Sequence, residues 1–292
     1  MLSPHYTYCD QVRDNEAVRH SFSQLSQRIF ELDFEPWHQQ GYWQDAYRPH
    51  VLLHQGKVVA NVSISLIHTT HQGLAKCYGQ IGTVMTHPDH RHQGLADALM
   101  QRVLRRYQPE CDALYLYANG SVLDFYPRYG FIAAQEYQHH ARVAPLNSIR
   151  QRLHMDLPED VALLRQHFLA GNPYAELPLL QNWGLLMFYC SQFLNDHVYH
   201  LPELGVVAIC VEEDDQHLLY DVFGQPKTSL KRIMAAISTE AQHKVALGFS
   251  PKDTHDFDAR PHADDDSHLF VLADKDNPFA HAQLTMPALS HA

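Results

Sequence analysis

Apolar and polar positions recur with two different periods in the first half of the chain. Apolar residues lie three or four positions apart from Val18 to Ile29, which predicts a helix that begins after Asn15. Residues 57–68 instead alternate with a period of two, as a strand does, and a Gln-Gly turn joins them to the apolar run at residues 50–54. The pattern therefore predicts a helix followed by a β-hairpin.

The remaining patterns up to residue 140 predict alternating strands and helices. The other strands are predicted at 6–12, 76–86, 114–118 and 131–140, the last of which closes the sheet, and the other helices at 36–43, 95–107 and 122–129. This alternation predicts a mixed α/β fold with a central twisted sheet.

The second half repeats this order of elements. Helices are predicted at 159–169, 177–194 and after a cap at Thr228 or Ser229, and strands at 197–201, 205–212, 217–222, 244–248, 268–273 and 282–286. Residues 141–157 lack periodicity, so we expect two domains, 1–150 and 151–292, with the second a degenerate copy of the first.

Composition narrows the class of protein. A 45% hydrophobic and 19% charged chain is typical of a globular protein, and no apolar run approaches the roughly 18 residues that span a bilayer. The N-terminus lacks a secretory signal, which predicts a cytoplasmic protein without a membrane partner. The five cysteines are widely spaced and no HExxH pattern occurs, so we expect neither disulfides nor a metal site, and we expect the acidic segment 253–266 to be a solvated loop.

The net charge of −11 is concentrated in one half. Residues 1–150 hold 13 Lys and Arg against 13 Asp and Glu, whereas residues 151–292 hold 9 against 20. An acidic half argues against nucleic acid as a partner and mildly favours a cationic acceptor, although solubility alone accounts for it as well.

A candidate phosphate cradle stands between the strand 80–86 and the helix 95–107. The segment is Arg91-His92-Gln93-Gly94-Leu95-Ala96, in which Gly94 permits a positive φ and Ala96 keeps the first helical turn free of bulk. A helix start presents backbone N–H groups without intrahelical partners, and these attract anions. The segment alone is equally compatible with an ordinary strand–turn–helix.

Two further segments occur in a fixed order around the cradle. Val84-Met85-Thr86-His87-Pro88-Asp89 precedes it, and a strand ending in Asn119 is followed by Phe125-Tyr126-Pro127-Arg128-Tyr129-Gly130-Phe131. Together the three segments resemble the acyl-CoA-binding motifs of the GNAT N-acyltransferase superfamily. The resemblance covers residues 5–140 and implies a GNAT fold with acetyl-CoA as cosubstrate.

The resemblance also implies roles for individual residues. The cradle residues would hold the CoA phosphates, Val84 and Thr86 would border the pantetheine arm, and a backbone N–H near Met85 would meet the oxyanion. Asn119 would contact the CoA arm, and Tyr126 would donate a proton to the departing sulfur. The ordinary structural alternatives are a turn residue at Asn119 and a core tyrosine at Tyr126.

No general base is evident. The amine must be neutral to attack a thioester, yet Asp45 is the only carboxylate between Glu35 and Asp89, where many GNAT enzymes carry a Glu. His68 and a water chain are the alternatives.

Two tandem GNAT-like halves also resemble the enhanced-intracellular-survival type of acetyltransferase, in which the terminal carboxylate reaches the site. The corresponding group here would be that of Ala292.

The sequence thus predicts an acetyl-CoA-dependent N-acetyltransferase that transfers directly to an amine in a ternary complex. Cys77 and Cys111 have no His–Asp arrangement beside them that would favour a covalent route. The acceptor, a small molecule or a peptide, and the oligomeric state are left open. The alternative is a non-catalytic acyl-CoA sensor or interaction protein, which the missing strand carboxylate favours and the retained Tyr126 disfavours.

Overall fold

A computed structural model describes residues 5–213, 216–238, 243–262 and 267–291. Up to residue 150 the helices and strands are, in order, β1 (Thr7–Cys9), α1 (Glu16–Phe30), α2 (Glu35–Gln39), β2 (Tyr47–His54), β3 (Lys57–His71), β4 (Leu74–Thr86), α3 (Leu95–Tyr107), β5 (Ala113–Ala118), β6 (Phe131–Ala133) and β7 (Glu136–Val143). The rest of the chain adds β8 (Gln151–Arg152), α4 (Pro158–Ala170), α5 (Trp183–Gln192), β9 (Val198–Leu201), β10 (Val206–Glu213), β11 (Gln216–Gly224), α6 (Leu230–Ile237), β12 (His243–Leu247), β13 (Asp258–His262) and β14 (His268–Leu272).

Local sequence signals start and stop several of these elements as predicted. Asn15 caps α1 by accepting a hydrogen bond from the Val18 N–H, and Ser229 caps α6 by accepting one from the Arg232 N–H. The mixed α/β class is confirmed. The predicted helix 122–129 is instead two short 3₁₀ turns, Gly120–Val122 and Tyr126–Tyr129. The second turn ends at Gly130, which is in the left-handed conformation.

Three predictions for the second half are wrong. Residues 177–182 are not helical: the Leu180 N–H donates to the His68 carbonyl at 2.9 Å, and α5 begins only after Asn182, which caps it. Residues 282–286 form no strand. The 253–266 segment contains β13, while Asp264 and Asp265 lie outside the described residues.

The first seven-stranded sheet has the order β1-β2-β3-β4-β5-β14-β6. Neighbouring strands are antiparallel except β4 and β5, which are parallel and connected through α3. The strand β14 comes from the far end of the chain and lies between β5 and β6.

The second sheet has the order β13-β7-β12-β11-β10-β9-β8 and repeats this plan. Its one parallel pair, β11 and β12, is connected through α6, and β7 lies between β12 and β13. The two sheets therefore exchange strands reciprocally: β7 of the first half completes the second sheet, and β14 of the second half completes the first.

This exchange corrects the predicted strand 131–140. That segment is two strands, and only β6 belongs to the first sheet, whereas β7 pairs with β12 and β13. Strand pairing thus crosses the predicted boundary at residue 150 in both directions. The boundary itself stays a prediction about how the chain divides into domains.

The largest apolar core also joins the two halves. Buried side chains of α1, α2 and the first sheet pack together with those of α4, α5 and the second sheet. Trp37 lies edge-on to Phe188 with ring centroids 5.4 Å apart, and its Nε1–H donates to the Gly184 carbonyl at 2.7 Å. A cavity at this junction can therefore be walled by both halves.

Candidate active site

A bulge in β4 sets the geometry of the site. Asn61 pairs with Met85 while Ser63 pairs with Gly82, so Thr83 and Val84 together oppose one residue of β3. Thr83 has φ of 48°, a left-handed conformation that β-branched residues rarely adopt. Strained backbone of this kind is concentrated at functional sites.

Buried hydrogen bonds hold the bulge in place. The Asn61 Nδ2 donates to the Thr83 carbonyl at 2.7 Å, and the Tyr47 hydroxyl lies 2.8 Å from the Thr83 Oγ1. Ser63 donates in turn to the Tyr47 hydroxyl at 2.9 Å. The contacts from β2 and β3 fix the backbone that faces the site.

The strands β4 and β5 separate immediately before the bulge. Their parallel pairing covers only Tyr78–Ile81 against Ala113–Leu116, so Tyr117 and Ala118 at the end of β5 pair with β14 on the other edge but not with β4. A cleft with a volume of about 540 Å³ opens between them. It is lined by Ile29, Phe30, Gln80, Ile81, Gly82, Thr83, Val84, Met85, Thr86, Arg91, Ala96, Tyr117, Asn119, Ser121, Val122, Phe125 and Tyr126.

The start of α3 forms one end of the cleft. Gly94 precedes the helix with φ of 73°, His92 is also left-handed, and no side chain caps the first turn. The Tyr6 hydroxyl donates to the Gln93 Oε1 at 2.7 Å and so holds the loop against the sheet. Uncapped N–H groups at the start of a 13-residue helix favour an anion there.

The sequence-predicted residues divide into two groups. Val84, Met85, Thr86, Arg91, Ala96, Asn119 and Tyr126 line the cleft. His92, Gln93 and Gly94 are exposed on the adjoining loop, while the Leu95 side chain is buried in the core, so only its backbone faces the loop. Ala292 lies outside the described residues.

Tyr126 is held rigidly among aromatic side chains. Its ring centroid lies 5.1 Å from that of Phe125 and 6.2 Å from that of Phe270 on β14, and the residue is only 5% exposed. Burial raises the pKa of Tyr126 to about 12, so the hydroxyl keeps its proton at neutral pH. The side chain can act as a proton donor.

A second cavity, which sequence reasoning missed, opens beside the first. Its volume is about 310 Å³, and its lining residues are Leu32, Phe34, Trp37, Tyr47, Gln80, Thr83, Tyr117, Leu185, Phe188, Tyr189, Phe193 and His291. Both cavities are lined by Gln80, Thr83 and Tyr117. The two cavities therefore meet at the bulge. Residues from α2, β2 and α5 form the second cavity, and no local motif marks such a combination.

A buried carboxylate lies behind this junction. The Tyr117 hydroxyl donates to the Glu136 Oε1 at 3.0 Å, and the same oxygen accepts from the Thr285 hydroxyl and the Met286 N–H, each at 2.8 Å. These bonds explain why residues 282–286 are not a strand: their polar groups bind a side chain instead. His291 lies against Tyr117 with ring centroids 4.1 Å apart.

The candidate base His68 lies elsewhere. It lines a separate cavity with Arg13 and Asp45, and that cavity shares no lining residue with the two described above. The hypothesis that His68 activates the amine therefore has no support from its position. Among the residues that the structure describes, no cluster of three or more His, Cys, Asp or Glu can hold a metal, and no helix is long and apolar enough to cross a membrane.

Comparison with protein families is consistent with this geometry. Residues 16–131 match the model of the Acetyltransferase (GNAT) family, a span that runs from α1 to β6 and contains the cradle, the bulge and Tyr126. This part of the chain is therefore similar to GNAT acetyltransferase domains. No curated protein sequence matches the chain significantly.

Solved structures extend the likeness beyond the GNAT domain to the whole chain. A probable N-acyltransferase from Enterococcus faecalis is 14% identical with a TM-score of 0.60, and a GCN5-related N-acetyltransferase from Kribbella flavida is 15% identical with a TM-score of 0.59; each match covers 92% of this chain and 72% of the other. Eis1 from Mycobacterium abscessus is 15% identical, covering 90% of this chain and 72% of its own, with a TM-score of 0.51. At such identities the matches establish a shared fold, and the predicted tandem GNAT-like architecture is confirmed.

Proposed function

We propose that the protein is an acetyl-CoA-dependent N-acetyltransferase that transfers the acetyl group directly to an amine in a ternary complex. The observation that carries the proposal is the meeting of two cavities at Thr83 and Tyr117. A cleft for the acyl donor and a separate cavity for the acceptor bring two substrates to one point, which is the arrangement a bimolecular transfer needs.

The cleft suits the phosphates of CoA at one end. A side chain at position 94 would project into open space, since no atom lies within 4 Å of the place its Cβ would take. Such a vacant approach to uncapped N–H groups is what a pyrophosphate requires, and Arg91 adds a positive charge beside it. The thioester of acetyl-CoA would supply the activated acetyl group.

Tyr126 is the proposed proton donor. Burial keeps its hydroxyl protonated at neutral pH but makes it a weaker acid than a free phenol, so its role as donor to a departing thiolate is supported by its position in the cleft. No cysteine is among the described residues that line either cavity, which favours direct transfer over a covalent acyl-enzyme. The cytosolic location and a small-molecule or peptide amine as acceptor stay predictions.

The test is thiol release from acetyl-CoA with a panel of amines, carried out with Tyr126→Phe and Tyr129→Phe. Tyr129 is a matched control because its hydroxyl donates to Asp97 at 2.8 Å and does not line the cleft. Tyr126→Phe should lower kcat by roughly 100-fold or more and leave the Kd for acetyl-CoA unchanged, while Tyr129→Phe keeps its activity.

Equal kcat values for Tyr126→Phe and the unaltered protein would remove Tyr126 from the mechanism. Acetyl-CoA binding measured by calorimetry, together with no thiol release from any amine, would instead support the acyl-CoA sensor.

A further inference from the structure

The second cavity is mainly apolar, although residues 151–292, which help to build it, carry an excess of acidic side chains. Nine of its lining residues are Leu, Phe, Tyr or Trp: Leu32, Phe34, Trp37, Tyr47, Tyr117, Leu185, Phe188, Tyr189 and Phe193. The other three are Gln80, Thr83 and His291. Among the described lining residues there is no Asp, Glu, Lys or Arg. The acidic side chains that give residues 151–292 their charge are therefore not part of the described lining.

The aromatic walls are rigid. Phe34 stacks on Tyr47 with ring centroids 5.4 Å apart and on Phe188 with centroids 5.7 Å apart. The Trp37 indole is fixed by its bond to the Gly184 carbonyl, and the Tyr189 hydroxyl donates to the His291 carbonyl at 2.7 Å. A ligand that enters meets preformed apolar walls whose indole N–H and Tyr189 hydroxyl are already bonded, which favours apolar ligands. The buried Gln80 Oε1 has no hydrogen-bond partner among the described residues, so it can accept one N–H of the ligand.

The rim is apolar as well. Phe193, just beyond the end of α5, is 50% exposed although it is a large hydrophobic residue, and it packs on Phe188 with centroids 5.4 Å apart. A half-exposed aromatic ring at the mouth of an aromatic cavity offers surface that a ligand can cover. The volume of about 310 Å³ lies at the lower end of ligand cavities, which suits one ring and a short chain.

Such a cavity also affects the protonation of an amine. Moving an ammonium group from water into a cavity whose described lining holds no carboxylate disfavours its charged form, so the pKa of the bound amine falls. The amine would then lose its proton on entering and reach the bulge with its lone pair free. This provides the neutral nucleophile that the chain lacks a strand carboxylate to generate.

From these observations we infer that the acceptor is a primary amine on an aromatic or branched aliphatic body, of the arylalkylamine kind, and that desolvation in this cavity releases its proton to solvent. The inference rests on the proposed function. It also narrows the mild expectation of a cationic acceptor to a monoamine, because the charges of a polyamine, or several hydroxyl groups, would outnumber the polar partners that the described lining offers.

The experiment compares kcat/KM for 2-phenylethylamine, ethanolamine and spermidine with acetyl-CoA as donor. We expect 2-phenylethylamine to exceed the other two by at least about 100-fold, because one buried methylene already accounts for about tenfold. Phe193→Ala should raise the KM for 2-phenylethylamine about tenfold with little change in kcat. Leu169→Ala is the matched control, since Leu169 is 76% exposed and lines neither cavity.

Calorimetric titration with 2-phenylethylamine separates this inference from the proposed function. Binding that Phe193→Ala weakens, without thiol release from any amine, would support the cavity's specificity and reject the transferase. Efficient transfer to spermidine or ethanolamine in preference to 2-phenylethylamine would overturn the inference and leave the transferase standing. A kcat/KM that rises from acetyl-CoA to octanoyl-CoA, and loses that rise in Phe193→Ala, would assign the cavity to the acyl chain and also overturn it.

Discussion

Tyr117 and Glu136 connect the two sheets at the point where the two cavities meet. The Tyr117 hydroxyl, at the end of β5, donates to the Glu136 Oε1 at the start of β7 over 3.0 Å. Glu136 is 6% exposed, and among the described residues its Oε1 accepts from the Tyr117 and Thr285 hydroxyls and the Met286 N–H. The pair thus places a buried carboxyl group one hydroxyl away from the proposed site of transfer.

Glu136→Gln tests whether this carboxyl group takes part in the proposed reaction. The amide oxygen of Gln can accept the same hydrogen bonds, so the fold should persist while the carboxyl group is lost. We expect kcat to fall at least about tenfold and the pH profile of kcat/KM to change shape, with the Kd for acetyl-CoA unchanged. Tyr117→Phe, which removes the connecting hydroxyl, should give the same profile. A profile identical to that of the unaltered protein would assign Glu136 a purely structural role.

Gly94→Ala tests the phosphate cradle against a matched glycine. Gly94 and Gly73 have φ of 73° and 77°, and a Cβ at either meets no atom within 4 Å. Alanine should therefore cost both variants about 1 kcal/mol of folding free energy through backbone strain. Only Gly94→Ala should also weaken acetyl-CoA binding, by tenfold or more in calorimetry, because its Cβ occupies the approach to the helix start. Equal affinities in the two variants would place the phosphates elsewhere.

Asp221→Asn tests a buried carboxyl far from the cradle. Burial raises the pKa of Asp221 to about 7, while its Oδ1 accepts from the Asn172 Nδ2 at 2.6 Å and the Val222 N–H at 2.8 Å. The folded state therefore binds this proton more tightly than the unfolded chain, whose carboxyl titrates near pH 4. Its contribution to stability is complete below about pH 4 and is lost as the pH rises to about 7.

Asparagine keeps the accepting oxygen and never ionises. In urea unfolding, the variant should gain roughly 2–4 kcal/mol over the unaltered protein at pH 8 and little at pH 4. Glu110→Gln, which neutralises an exposed carboxylate, is the control and should give no such pH-dependent gain. A loss of stability at pH 8 would show that the charge of Asp221 is needed by the fold.

Separation of the chain at residue 150 tests the strand exchange. A fragment of residues 1–150 lacks β14, so β5 and β6 lose the strand that joins them, and β7 loses both of its partners. We expect this fragment to be insoluble or unfolded by circular dichroism, and co-expression with residues 151–292 to restore acetyl-CoA binding. A folded, monomeric fragment 1–150 that binds acetyl-CoA with full affinity would contradict the expectation and support two independent domains.

Much of the proposed donor site was predictable because its determinants are local. The left-handed Gly94, the helix from Leu95 to Tyr107 and the hairpin of β2 and β3 all depend on residues within a few positions of each other. Backbone sterics, capping and period-two burial act over that range, so the order of elements up to β5 follows from the sequence alone.

The proposed acceptor side depended on the tertiary structure. Trp37 and Phe188 are 151 positions apart and meet only because α5 packs against α2 and Phe34. Likewise, the 131–140 segment reads as one strand, but β7 leaves the first sheet because β14 takes the place beside β5. Strand pairing between distant segments depends on which edges are available in the folded chain, and a period-two pattern is the same whichever sheet receives the strand.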